Sequence, residues 1–372
     1  MRLCYIANAN SIHTVRWITP FLERGDEIYL LSPRRVERRW EGLKALVDLT
    51  QLTNTPKMRF VRWGGWIRRY LRDIQPDILH AHQIVNAGWL GTMAGYHPFV
   101  VSSWGSDLLA EPHKSAWRRF LLKMVLRRCD RLTVPSPLMH EAALALGVPP
   151  RRLRLIPWGI ETDVFTPTPD DRRATRRQFG LAEDVPVVLC PRGISPIYNV
   201  DIVLEAIHTL VSSGLNLQLV LLQFNVDATY RETLESMVVA YGLTPHVRWL
   251  PSRQTPSDMA RLYRMADVMV SIPASEGYGF TVYEAMAAGC PTVISDLPLF
   301  REELEHGLHT LKVPVRNAPE TAKALQTMLT NEPLRQKLRD NALRICRGKS
   351  TQNRIEQTSL LYAELAAQPH RE

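Results

Sequence analysis

Residues 275–291 read Ser-Glu-Gly-Tyr-Gly-Phe-Thr-Val-Tyr-Glu-Ala-Met-Ala-Ala-Gly-Cys-Pro, so two carboxylates, Glu276 and Glu284, stand eight residues apart around a glycine-bearing loop. The apolar run 268–272 before the loop has the length and composition of a buried strand, and 291–295 after it of the next. Gly277 and Gly279 let the backbone approach a ligand closely. A helix expected to begin near Thr281 turns unpaired N–H groups and its positive dipole end toward the same loop, a setting that suits an anion. The same letters support a plainer reading. Thr281-Val-Tyr-Glu284 is also a capping box, in which Glu284 only satisfies a backbone N–H, while Glu276 is a solvated loop residue and Ala285, Met286 and Ala288 pack under a sheet.

The elements that must position this loop alternate between strand and helix signals. In the first half the strand-like runs are 3–7, 27–31, 78–81, 99–102, 132–135 and 153–156, with a helical stretch at 14–24 that Gly25 ends. A stretch rich in Pro, Thr and charge, 166–177, separates them from a second set at 187–190, 219–222, 247–250, 268–272 and 292–295. The 372 residues suit two α/β domains of Rossmann-like type, with the boundary at this linker, and 352–367 forms one amphipathic helix. The loop after the first strand, Asn8-Ala-Asn-Ser-Ile-His13, lacks Gly-x-Gly-x-x-Gly, which argues against NAD or FAD. His13 and Asp107 each follow a strand's carboxyl end, where open parallel sheets bind ligands. A helix-entry contact for His13 and an Asx-type turn for Asp107 are the alternatives. His80 and His82 alternate around a strand end, as core and cap residues do.

Charge is unevenly spread. Residues 1–165 hold 24 Lys and Arg against 14 Asp and Glu, a net of +10, whereas 166–372 hold 22 against 23, a net of −1. A nucleic-acid binder could show such a basic half, but no nucleic-acid module accompanies it. Lys114, Arg118, Arg119, Lys123, Arg127, Arg128 and Arg131 recur at helical spacing, interleaved with Trp117, Phe120, Leu121, Met124 and Val125. Such a helix either packs its apolar side on its own domain or rests on an anionic membrane surface. The five cysteines are an odd number, far apart and in apolar surroundings, so they are expected to be core thiols. No Asp-x-Asp occurs, and no catalytic metal is expected. With no run of eighteen apolar residues and no leader-like start, the expected location is cytoplasmic.

Taken in order, the string of strand, Glu276, Gly-x-Gly, Glu284, Ala-Met-Ala, Gly and Pro resembles the Glu-x7-Glu signature of family 4 of the retaining glycosyltransferases. Other landmarks of that family follow along nearly the whole chain: Arg24-Gly-Asp-Glu-Ile, Pro76-Asp-Ile-Leu-His80-Ala-His82, Trp104-Gly-Ser-Asp107, Ile156-Pro-Trp-Gly-Ile-Glu-Thr-Asp163-Val-Phe165 and Arg192. The resemblance implies the GT-B fold, α/β with two Rossmann-like domains facing each other across a cleft: 1–165 on the acceptor side, 178–350 on the nucleotide-sugar side, and a helix in 351–372 returning to the first. It implies transfer of a hexose-type sugar from a nucleoside diphosphate sugar, with retention and without a metal or other cofactor, to a glycan or lipid-linked acceptor. By the same resemblance Glu276 positions the transferred sugar and stabilises developing charge, and Glu284 holds the ribose. Gly277, Tyr278, Gly279, Phe280 and Arg192 receive the diphosphate, and Asp107 and His13 lie on the acceptor side. Members that meet lipid-borne acceptors commonly rest the first domain on an anionic leaflet, which gives Lys114, Arg118, Arg119, Lys123 and Arg127 a partner.

Four positions depart from the family pattern. The 8–13 loop lacks a pair of glycines, Trp104 stands where many members carry a His, Tyr198-Asn199 replaces a basic residue after the arginine, and Leu222-Gln-Phe-Asn225 replaces a glycine-rich turn. A sugar-nucleotide epimerase on the same fold and a non-catalytic nucleotide-sugar or polyanion-binding paralogue are the competing readings.

Overall fold

The computed structural model describes residues 1–52, 59–168, 172–251 and 255–367. It divides into two compact units, Met1–Trp158 with Gln352–Glu372, and Gly159–Thr351. In the first unit the strands are β1 (Arg2–Ile6), β2 (Glu27–Ser32), β3 (Ala45–Asp48), β4 (Ile78–His82), β5 (Phe99–Ser102), β6 (Arg131–Val134) and β7 (Leu153–Leu155). They pair in parallel in the order β3-β2-β1-β4-β5-β6-β7. The second unit holds β8 (Val187–Cys190), β9 (Gln218–Gln223), β10 (Val247–Pro251), β11 (Val268–Ser271), β12 (Thr292–Ser295) and β13 (Leu311–Val313). Its parallel order is β10-β9-β8-β11-β12-β13. Continuous apolar runs such as Val187–Cys190 and Val268–Ser271 are buried throughout, because helices cover both faces of each sheet. In each unit the strand order reverses once, between β1 and β4 and between β8 and β11, and open α/β sheets bind ligands at the carboxyl ends beside such a reversal.

The helix Thr351–Ala366 packs into the first unit from Gln352 onward. Its Tyr362 hydroxyl lies 2.5 Å from His80 Nδ1 and 3.1 Å from the Tyr5 hydroxyl, and His80 Nε2 meets Ser102 Oγ at 2.8 Å. Arg354 donates to the Arg16 carbonyl and lies over the Trp17 ring, and Glu364 pairs with Arg131 and Arg154.

The stretch 166–177, expected as a linker, is instead built into the second unit. Arg264 donates to the carbonyls of Val164 and Thr166, and the buried Arg176 of the Arg172–Gln178 helix donates to the Met265 carbonyl and to Asp267. Arg176 is thus hydrogen-bonded rather than solvated, while Arg172, Arg173 and Arg177 stay exposed; residues 169–171 of the stretch lie outside the described residues. At the two ends of the second unit, Ile160 bridges Ser350 and Gly159 lies so close to Thr351 that a Cβ would fall 2.2 Å from its Cα.

His80 and His82 are buried, and burial holds both imidazoles neutral, His80 with its pKa brought down to about 3 and His82 also well below the ordinary value. The unfolded chain takes up these protons near pH 6.5 and the folded chain does not. Stability is therefore complete above the unfolded value and is lost as pH falls toward the folded one, at about 1.4 kcal/mol per pH unit per histidine. Urea unfolding between pH ~7 and ~4 should show this slope, and His82→Phe should reduce it. An unchanged slope in that variant would mean that His82 protonates in the folded state.

Candidate functional site

Both halves of the candidate donor site flank the β8/β11 reversal. The loop after β8 carries Arg192 and the loop after β11 carries Glu276 to Gly279, leading into the helix Phe280–Ala287. That helix starts one residue before the expected Thr281 and is capped by Gly279 in the left-handed region, φ +86°, with no side-chain cap. The capping box is not formed. Thr281 Oγ1 accepts from Arg192 Nη1 at 2.5 Å, and Glu284 is buried with Oε2 3.5 Å from the Tyr263 hydroxyl. A Cβ at Gly279 would lie 2.6 Å from the Phe300 ring, so both φ and space demand glycine.

Glu276 and Arg192 touch. Glu276 Oε2 is 2.8 Å from Arg192 Nη2, and Glu276 Oε1 accepts from the Gly277 N–H at 2.9 Å. The Arg192 guanidinium lies 4.3 Å over the centre of the Tyr198 ring, and its Nε has no partner among the described residues. Tyr278 is buried against Phe280 and Tyr283. The arrangement places one cation, one carboxylate and a helix amino end at a single loop pair, which can bind an anion and stabilise charge growing on it.

Two of the departures have structural explanations. Asn199 is buried at φ +51°, donates to the Ile272 carbonyl and accepts from Arg316, so it fills a left-handed position that favours glycine. Asn225 does the same at φ +46° after β9. Tyr198 and Thr281 were not among the expected site residues. The Thr281 contact crosses two loops and leaves no local pattern, whereas for Tyr198 the aromatic at the place of an expected cation was the available signal.

In the first unit a cavity of about 360 Å³ opens beside the β1/β4 reversal, lined by Asn8, His13, Arg34, His82, Asn86 and Trp104 among others. His13, near the start of the helix Ile12–Glu23, packs edge-on against Trp104 and Trp158. The structure brings His13 and His82 to this cavity, but Asp107 is not among its lining residues. Asp107 Oδ1 accepts from Ser103 Oγ and the N–H groups of Trp104 and Gly105, and Oδ2 accepts from the Ile84 N–H. Burial pushes its pKa up and these four bonds pull it down, the net being upward. Its carboxylate ties the loop after β5 to the loop after β4, the contacts that the Asx-type turn alternative requires.

Comparison with known proteins agrees with this geometry. The model of glycosyl transferases group 1 matches residues 171–344, and that of glycosyl transferase 4-like domains matches residues 2–136. Each unit of this chain thus matches one glycosyltransferase domain model, and the parallel-sheet Rossmann-like architecture of the two is that of the GT-B fold. The GT-B protein HepE of Anabaena, solved with UDP, superposes with a TM-score of 0.84 at 17% identity, covering 98% of this chain and 100% of that one. The sucrose-phosphate synthase of Thermosynechococcus elongatus gives 0.79 at 19%, covering 99% and 100%. The D-inositol 3-phosphate glycosyltransferase of Geodermatophilus obscurus is 28% identical over 276 residues, 69% of this chain and 60% of the relative. That of Mycobacteroides abscessus is 27% identical over 69% of this chain and 59% of its own. The chain thus spans about 60% of the length of these curated relatives.

Proposed function

We propose that the protein is a retaining, metal-independent hexosyltransferase that moves a sugar from a nucleoside diphosphate sugar to a glycan or lipid-linked acceptor. The observation that carries this reading is the meeting of Arg192, Glu276 and the Gly279-capped helix at the strand reversal of a glycosyltransferase group 1 domain. In this reading Arg192 and the loop 277–280 hold the diphosphate leaving group, Glu284 the ribose and Glu276 the transferred sugar. Arg192 and the helix end act most strongly when the leaving oxygens gain charge, which is where stabilisation accelerates transfer. Structural relatives crystallised with UDP and UDP-glucose support this donor class, and D-inositol 3-phosphate is the first acceptor to try because curated relatives are named for it.

A thermal-shift panel of nucleoside diphosphates and nucleotide sugars tests the donor. A ligand at 100 times its dissociation constant stabilises by about 2.7 kcal/mol, a shift of several degrees. Product NMR then reads the anomeric configuration, with inversion contradicting the proposal. Binding without transfer to any acceptor would favour the non-catalytic reading.

The acceptor side is proposed to rest on an anionic membrane. On the helix Ala116–Arg128, Leu122, Val125 and Leu126 are buried in the first unit, but Trp117 and Phe120 are 65% and 57% exposed and stack on each other at 5.6 Å. Exposed Arg119 and Arg127 and half-buried Lys123 share this helix, while Lys114 and Arg118 are shared with Glu111. Aromatic rings beside basic residues suit a lipid interface. Among the described residues no helix is long and apolar enough to cross a membrane. Changing Arg118, Arg119, Lys123 and Arg127 to Glu should weaken co-sedimentation with anionic liposomes by more than about tenfold, and salt should weaken the wild type. Equal sedimentation of both proteins would remove this helix from the membrane reading.

A further inference from the structure

We propose that the Arg192–Glu276 ion pair is a latch that an incoming diphosphate opens, with Tyr198 holding Arg192 in place while it changes partner. The inference rests on the donor reading of the second unit.

Arg192 is nine-tenths buried and each part of its guanidinium has a distinct setting. Nη2 is on Glu276, Nη1 is on Thr281, Nε has no partner among the described residues, and the flat face lies over Tyr198. The carboxylate paired with it among the described residues is also the one expected at the transferred sugar. As it stands the pair is close to neutral, and an anion arriving at this loop meets a cation already engaged. If Arg192 turns Nη2 from the carboxylate to phosphate oxygens, the number of charge-assisted bonds on the guanidinium is kept. Glu276 is then released with the Gly277 N–H on its other oxygen. The sugar-facing carboxylate becomes available when the leaving group is seated, and not before.

Tyr198 makes this exchange workable at a position where a second cation is the family pattern. A lysine there would hold the diphosphate without disturbing the ion pair. The tyrosine ring instead fixes the plane of the guanidinium and leaves its edges free to swap. The next residue, Asn199, anchors the backbone beside the ring, its side chain pinned between the Ile272 carbonyl and Arg316.

The test uses the full chain with UDP, ADP and GDP as probes, affinity being measured by calorimetry and transfer by initial rate from the matching nucleotide glucose. Glu276→Gln removes the competing charge with little change of shape. It is expected to raise diphosphate affinity about three- to tenfold while transfer falls. Tyr198→Phe should keep wild-type affinity, Tyr198→Leu should lose several-fold, and Tyr198→Lys should gain affinity with Glu276 intact. A merely structural role for Tyr198 would not produce gain from lysine beside loss from leucine. Equal or weaker binding by Glu276→Gln would show that the carboxylate orients Arg192 rather than restraining it, which overturns the latch and leaves the donor reading standing. Failure of all three diphosphates to bind any of these proteins overturns the donor reading and the latch together.

Discussion

Arg192→Ala is expected to lower sugar transfer by about two to three orders of magnitude, the range seen when one preorganised donor to developing negative charge is removed. Arg192→Lys should fall between alanine and wild type. The guanidinium reaches Glu276 and Thr281 from separate nitrogens while its face covers Tyr198. An ammonium is a point charge that can take up one of these contacts but not all three. Truncation also leaves Glu276 with the Gly277 N–H as its one remaining bonded neighbour in this loop, so some loss of stability should accompany the loss of rate. Urea unfolding beside initial rates separates the two effects. The proposal requires the rate to fall far more than the folded fraction at the assay temperature. Full activity in the alanine variant would show that this loop does not hold the leaving group.

The long apolar runs made most of the fold legible. Phe99–Ser102, Val187–Cys190 and Thr292–Ser295 occur with the bounds the residues imply, and most other strands differ by one or two residues. Two strands were not readable. Ala45–Asp48 is a half-buried strand at the end of its sheet, and Leu311–Val313 is a three-residue strand at the end of the other. The first is an Ala-Leu-Val run hemmed in by Lys44 and Asp48, and the second carries Lys312 at its centre, so neither stands out as a buried parallel strand. The linker was misplaced for a related reason, since composition cannot tell a solvated arginine from Arg176, buried and bonded to Asp267. At the site, Glu276 and Gly279 were visible in local spacing, but the Arg192 contact with Thr281 joins residues 89 apart and exists only once β8 and β11 lie side by side. Asp107 shows the converse. Its place after a strand left chemistry and an Asx-type turn both open, and the four donors around it show that the turn is formed.

Gly279→Ala should do the most damage of any single methyl added at this site. The residue sits at φ +86°, where a side chain costs roughly 1 to 2 kcal/mol, and the new Cβ would lie 2.6 and 2.7 Å from two carbons of the Phe300 ring. Phe300 is buried against Tyr283, so it cannot swing aside without loosening the contact between this turn and the Phe280–Ala287 helix. Destabilisation of about 2 to 4 kcal/mol is expected from strain and overpacking together. The site should suffer beyond that, because any relief moves the backbone between Glu276 and the helix amino end. The two contributions can be separated by adding Phe300→Leu. That change makes room for the methyl but leaves φ unchanged, so the double variant should recover part of the stability lost by Gly279→Ala. Its coupling energy measures the clash alone. Diphosphate affinity is expected to stay low in both, since the strained φ still displaces the loop. Wild-type stability and affinity in Gly279→Ala would mean that the turn relaxes without cost, and that the left-handed residue at the helix start is not what aims the loop.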